Sequence, residues 1–83
     1  MNKQRLLKRL LTGSKNIRFE DMVTLAQAFG FRLSRTRGSH HIFIHPQIQE
    51  LLNLQDVDGK AKPYQVRQFL KLVEKYNLRM EDE

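Results

Sequence analysis

Within one dozen residues, Arg35-Thr36-Arg37-Gly38-Ser39-His40-His41-Ile42-Phe43-Ile44-His45-Pro46, the chain gathers all three of its histidines, a hydroxyl pair and two arginines. An unperturbed imidazole titrates at about 6.5, so it accepts or releases a proton at neutral pH. Arginines and backbone N–H groups stabilise negative charge as it develops. This combination suits metal-free attack on a phosphodiester that carries its own nucleophile, as RNA does. A base deprotonates the 2′-OH, which then attacks the adjacent phosphorus. His40 is the candidate for proton transfer, with Arg35, Arg37, the backbone at Gly38 and Ser39, and the Ser39 hydroxyl as candidates for charge stabilisation. One positioned acid or base contributes about 10² to 10⁴ in rate, which predicts a slow nuclease.

Other chemistries fit less well. On an extended strand His40 and His41 point to opposite faces, and His41 and His45 stand about 13 Å apart at roughly 3.3 Å per residue. With no cysteine in the chain and no carboxylate at ligand spacing, no zinc site is expected. Ser39 and His40 are adjacent, so their side chains diverge and no orienting acid is evident for a serine hydrolase. Asp56-Val57-Asp58-Gly59 resembles the start of a calcium loop, but the fifth and twelfth positions hold Lys60 and Arg67. An Asp- and Gly-rich turn is the better reading.

The elements that hold the dozen residues in place are two short strands. Phe31 to Arg35 and His40 to Ile44 alternate in polarity, and Gly38 supplies the positive φ of a tight turn. With Arg37-Gly38 as a two-residue loop, Thr36 faces Ser39, Arg35 faces His40, Leu33 faces Ile42 and Phe31 faces Ile44. Phe31, Leu33, Ile42 and Ile44 then form an apolar patch with His40 and Arg35 at its rim, while His41 and Phe43 point the other way.

Around the hairpin, residues 3 to 11 predict an amphipathic helix capped by Asn2, with Leu6, Leu7, Leu10 and Leu11 on one stripe and Arg5, Lys8 and Arg9 opposite. That basic side could touch phosphates, but the pattern is more often that of a surface helix that packs its leucines on the domain and solvates its lysines. Thr12 to Asn16 is a turn or hinge. A second helix runs from about Arg18 to Phe29, with Glu20 and Asp21 in its first turn, and Gly30 ends it. A third strand covers roughly Leu51 to Gln55. Pro63 opens a final helix that runs to about Asn77, with Val66, Phe69, Leu70, Val73 and Tyr76 inward. Lys60 and Lys62 precede it, as a seat for phosphate or as solvated loop lysines. Met80 to Glu83 is an acidic tail.

A chain of 83 residues makes one domain, or one domain with an appended helix, and its core is small. No apolar run approaches the roughly 18 residues of a membrane span, and the N-terminus lacks the apolar region of a secretory signal, so a cytoplasmic protein without a membrane partner is expected. Fifteen Lys and Arg against nine Asp and Glu leave a net charge of +6, which calls for an acidic partner, nucleic acid first and an acidic protein second.

At Phe29-Gly30-Phe31, Arg35, Gly38-Ser39-His40-His41-Ile42-Phe43, His45-Pro46 and Gly59-Lys60-Ala61-Lys62-Pro63 the sequence resembles the HicA toxins of type II toxin-antitoxin modules. The resemblance implies an α+β fold with a double-stranded-RNA-binding-like α-β-β-β-α core, a three-stranded antiparallel sheet packed on helices. It implies a domain over residues 18–77, preceded by an extra N-terminal helix and hinge over 1–17 and followed by an acidic tail over 78–83. It also implies ribosome-independent mRNA cleavage and inhibition by a HicB-like antitoxin; together with the metal-free chemistry read from the residues, the expectation is a metal-independent endoribonuclease without cofactor, monomeric on its own. The family's catalytic histidine, the one directly after Gly-Ser, falls on His40. Arg35, Arg37, Gly38, Ser39, His41, Lys60 and Lys62 are then the expected RNA contacts. A noncatalytic RNA-binding module on the same fold is the alternative, since it explains the charge equally well.

Overall fold

The computed structural model describes residues 2–13 and 15–81. Six elements follow in order: α1 (Lys3–Leu11), α2 (Phe19–Ala28), β1 (Arg32–Arg37), β2 (His40–Ile44), β3 (Leu52–Gln55) and α3 (Pro63–Lys75). The strands form one antiparallel sheet in the order β1-β2-β3, with β2 in the centre. This is the expected α+β architecture, with an α-β-β-β-α core from α2 to α3 and α1 ahead of it. No helix among the described residues is long and apolar enough to cross a membrane.

Local chemistry sets the helix boundaries. Asn2 Oδ1 accepts from the N–H groups of Gln4 at 2.8 Å and Arg5 at 3.3 Å, satisfying two orphan donors of α1. Helix α2 starts with Glu20 and Asp21 in its first turn and stops before Gly30, whose φ is +98°. A Cβ at Gly30 would lie 2.8 Å from His45 Nε2 and 2.7 Å from a Glu81 carboxylate oxygen, so space as well as backbone conformation demands glycine here. Pro63 opens α3, where its missing N–H leaves no acceptor unsatisfied.

The hairpin register differs from the sequence expectation. The two-residue loop is Gly38-Ser39, so Arg37 pairs with His40, Thr36 with His41 and Arg35 with Ile42. The primed turns that match strand twist need positive φ at their first central position, and Gly38 supplies it at +60°. Starting the loop at Arg37 would have put an arginine in that conformation. A bulge between Leu33 and Arg35 then adds one residue to β1, so that Leu33 pairs with Phe43 and Arg32 with Ile44.

That bulge decides which face is the core. It brings Phe31, just ahead of β1, level with His45 on the helix side, and the two rings meet edge to face at 5.1 Å. The expected patch of Phe31, Leu33, Ile42 and Ile44 is therefore split. Phe31 and Phe43 are buried, while Leu33 and Ile44 are 50% and 43% exposed. The buried face of the sheet carries Phe43, Leu52 and Leu54, with His41 beside Leu54.

Against this face pack α2, through Met22, Leu25 and Ala26, and α3, through Val66, Phe69 and Leu72. Phe69 lies 5.5 Å from the Phe29 ring and 6.1 Å from Phe31, centroid to centroid, and joins the last helix to both sides of the α2–β1 corner. Leu6 and Leu10 of α1, with Ile17, are buried in the same cluster. So is Leu78, while Met80 packs against it and the Glu81 N–H donates to Ala28 O at 2.8 Å. Asp82 and Glu83 of the acidic tail lie outside the described residues, as does Ser14 of the hinge. Glu50, in the loop after β2, accepts hydrogen bonds from Lys75, at 2.6 Å, and from the Tyr76 hydroxyl. Both hold its carboxyl below the usual range and tie that loop to the end of α3.

Candidate active site

The sheet face away from the helices is polar and basic. Residues paired directly across strands share a face, so β1 brings Arg35 and Arg37, β2 brings His40 and Ile42, and β3 brings Asn53 and Gln55 to this side. None of the six is buried. Arg37 stands opposite His40, and Arg35 one pair further along. Neither arginine forms a salt bridge among the described residues, so their charge is open to an anionic ligand.

His40 is half-buried at the turn end of this face. Its Nδ1 lies 3.2 Å from Asn53 Oδ1, diagonally across the β2–β3 pair. With the amide oxygen accepting, Nδ1 carries the proton and Nε2 keeps a lone pair. Beside it, Ser39 Oγ accepts from Gln55 Nε2 at 3.3 Å, and Ser39 O accepts from the Asp56 N–H at 2.9 Å. The Gly38-Ser39 turn is thereby anchored to the end of β3. Gln55 is fixed in turn, because its N–H donates to Oε1 of the buried Gln65 at 2.9 Å.

His41 points to the helix side. Its Nδ1 donates to Ser39 O at 3.1 Å, and its ring packs against Phe19, at the start of α2, with centroids 4.7 Å apart. His40 and His41 thus follow Ser39 on opposite faces of β2. His45 is only 6% exposed. Its Nδ1 accepts from the Gln47 N–H at 3.1 Å and its Nε2 donates to Phe29 O at 3.0 Å. Both ring nitrogens are committed to the backbone, so His45 braces the α2–β1 corner and has none left for a substrate.

Lys60 and Lys62 are exposed on the loop that leads into α3. Asp56, the residue bound to Ser39 O, opens this loop, and its carboxylate accepts from the Gly59 N–H at 2.7 Å. Val57 and Lys60 exchange backbone hydrogen bonds, both 3.0 Å long. The Phe19 N–H donates to Gly59 O and the Ala61 N–H to Ile17 O, so the lysine loop lies across the chain entering α2. The lysines belong to the turn end of the sheet, and neither makes a salt bridge among the described residues. Arg18, beside them, is engaged with Asp21 at 3.3 Å, and that hydrogen bond, more than any other cause, pushes its guanidinium pKa further up.

Of the expected residues, Arg35, Arg37, Gly38, Ser39 and His40 come together on the turn and the open face, while His41 points to the helix side and Lys60 and Lys62 sit on the loop across the chain entering α2. The pairing expected between Arg35 and His40 is replaced by Arg37 and His40, because the loop starts one residue later. Sequence reasoning did not single out Asn53. Its signal was the alternation of Leu52 and Leu54 with Asn53 and Gln55, which becomes informative once β3 is placed against β2.

A family model described as the HicA toxin of bacterial toxin-antitoxin systems matches residues 19–74, from the first residue of α2 almost to the end of α3. No curated protein and no solved structure matches the chain.

Proposed function

Since the chain belongs to the HicA toxin family of bacterial toxin-antitoxin modules, we propose that it is an mRNA endoribonuclease in which His40 moves the proton and the RNA supplies the nucleophile. The observation that carries this reading is the side chain of His40, presented on an open basic face opposite Arg37, with one nitrogen on Asn53 and the other available. His40 Nε2 takes the proton of a 2′-OH. The 2′-oxygen bonds to the adjacent phosphorus and the bond from phosphorus to the 5′-oxygen breaks. The departing 5′-oxygen takes a proton from water, and the other fragment ends in a 2′,3′-cyclic phosphate. Arg35, Arg37 and the Gly38-Ser39 backbone face the charge that builds on the phosphoryl oxygens. The toxin is held in check by a HicB-like antitoxin whose acidic surface complements this basic end. Induction of the chain is expected to arrest growth, and co-expression of the neighbouring reading frame to relieve the arrest; a chain tolerated at high expression would sink the toxin reading.

Lys60 and Lys62, with His41, extend the contact to RNA phosphates on the other side of the turn. Replacing both lysines with alanine is expected to weaken binding uniformly across RNA sequences. For single-stranded RNA the slope of log affinity against log salt should fall by about 1.4, that is about 0.7 for each phosphate no longer neutralised. An unchanged affinity and slope would place both lysines outside the RNA path. The alternative of a noncatalytic binding module shares the lysines and arginines but has no need of His40, and cleavage assays of a His40 variant separate the two.

A further inference from the structure

We propose that Asn53 is a positioning residue for His40: its amide oxygen holds the imidazole in the Nδ1–H tautomer and turns Nε2 toward the open face. The inference rests on the reading of His40 as the proton-transfer group and adds a residue that acts on it. Free imidazole side chains favour the Nε2–H tautomer, in which the basic nitrogen is Nδ1, the one crowded by its own backbone. A base that must reach a 2′-OH in a bound strand is better served by Nε2, and the tautomer is set by whatever the other nitrogen bonds. Here that partner is Asn53 Oδ1 at 3.2 Å.

The placement follows from register. His40 pairs with Gln55 and Ile42 with Asn53, so Asn53 sits diagonally from His40 on the same face, within reach of a ring. Asn53 is half-buried between Leu52 and Leu54, both fully buried, so its backbone is fixed by the core. Of the groups facing His40, Arg35 and Arg37 from β1 are cationic, and Asn53 and Gln55 from β3 are neutral. A neutral acceptor orients the ring and brings no negative charge of its own to the site. A carboxylate at position 53 would orient it too, but would hold the proton on the ring to higher pH.

The test uses the full chain with Asn53→Ala and Asn53→Asp, read by nitrogen NMR of the His40 ring without RNA and by the pH profile of cleavage of an RNA oligonucleotide. In the unaltered protein His40 should be the Nδ1–H tautomer. Asn53→Ala should shift it toward Nε2–H and lower kcat about 10- to 100-fold with KM little changed, the range typical for partners that orient a metal-binding histidine, applied here to a reacting one. Asn53→Asp should restore most of the rate at high pH, with the acid limb of the profile moved up by about one unit. A merely structural asparagine would move neither tautomer nor limb. An Nε2–H tautomer in the unaltered protein, or an unchanged tautomer and profile in both variants, overturns the proposal while leaving His40 catalysis in place. Undiminished cleavage by folded His40→Ala would instead overturn the reading on which it rests.

Discussion

His40→Ala is expected to cut RNA cleavage by about 10² or more while the fold and the affinity for RNA stay as they are. The fold should survive because His40 lies half-exposed on the sheet face away from the helices, and its one side-chain bond goes to Asn53 on that same face. Affinity should survive because the charge proposed to bind phosphates sits on Arg35, Arg37, Lys60 and Lys62, none of which depends on His40 for a salt bridge. What disappears is the proposed proton acceptor, so the loss should appear in kcat. The other histidines give the contrast. His41→Ala should remove the ring packed against Phe19 and affect binding more than turnover. His45→Ala leaves the Phe29 carbonyl and the Gln47 N–H without partners and should cost about 1–3 kcal/mol of stability in a urea titration. A substrate with 2′-deoxyribose at the cut should resist all forms of the enzyme, and chelator should change nothing. Full cleavage by folded His40→Ala would move catalysis to another residue, absence of cleavage by the unaltered chain would leave a binding module, and abolition by chelator a metal nuclease.

Leu6→Ala combined with Leu10→Ala is expected to remove most of the stability of the whole chain, although both residues precede the segment that matches the family. Each is buried, at 1% and 3% exposure, in the cluster that contains Met22, Leu25 and Phe69. A buried Leu→Ala replacement costs about 2–5 kcal/mol, and a domain of this size is stable by only about 4–12 kcal/mol at typical values per residue. The two sites share neighbours, so their effects will not simply add. Leu11→Ala is the matched control, since Leu11 is 64% exposed on the same helix and should change stability by no more than about 0.5 kcal/mol. Thermal or urea midpoints decide the matter. A double variant with an unchanged midpoint would make α1 an arm that the domain does not need.

Much of the architecture was legible because it is written in local chemistry. Asn2 before a leucine stripe, Gly30 after an amphipathic run and Pro63 before another each mark a helix end through a specific backbone requirement, and the helices lie there. The bounds of β2 were equally readable from alternation between a turn glycine and Pro46. The hairpin faces were not. Four apolar residues could be aligned on one side by assuming an unbroken strand, whereas the bulge at Leu33/Arg35 and a loop starting at Gly38 exchanged the faces. The turn start was recoverable from the demand for positive φ at the first loop position. The bulge leaves no mark on its own residues, because it answers to where Phe31 must pack. His45 shows the same boundary from the other side. By type it belonged with the chemistry, and its role as a buried brace is set by Phe29, sixteen positions earlier, and by Phe31. The Gly38-Ser39-His40 block was recognisable in the sequence, but its partner Asn53 became visible only with the pairing of β2 and β3.

The bulge in β1 also bears on how copies of the chain behave at high concentration. As the outer strand of the sheet, β1 offers free backbone donors and acceptors along one side, a template onto which another extended chain can add. The extra residue interrupts the even spacing that such a ladder requires. Arg32, Arg35 and Arg37 are exposed along the same strand, so a second copy approaching edge to edge would set guanidinium against guanidinium. The irregularity that turns Phe31 into the core therefore also guards against polymerisation through this edge. A strand that does pair there has to tolerate the break and bring carboxylates of its own.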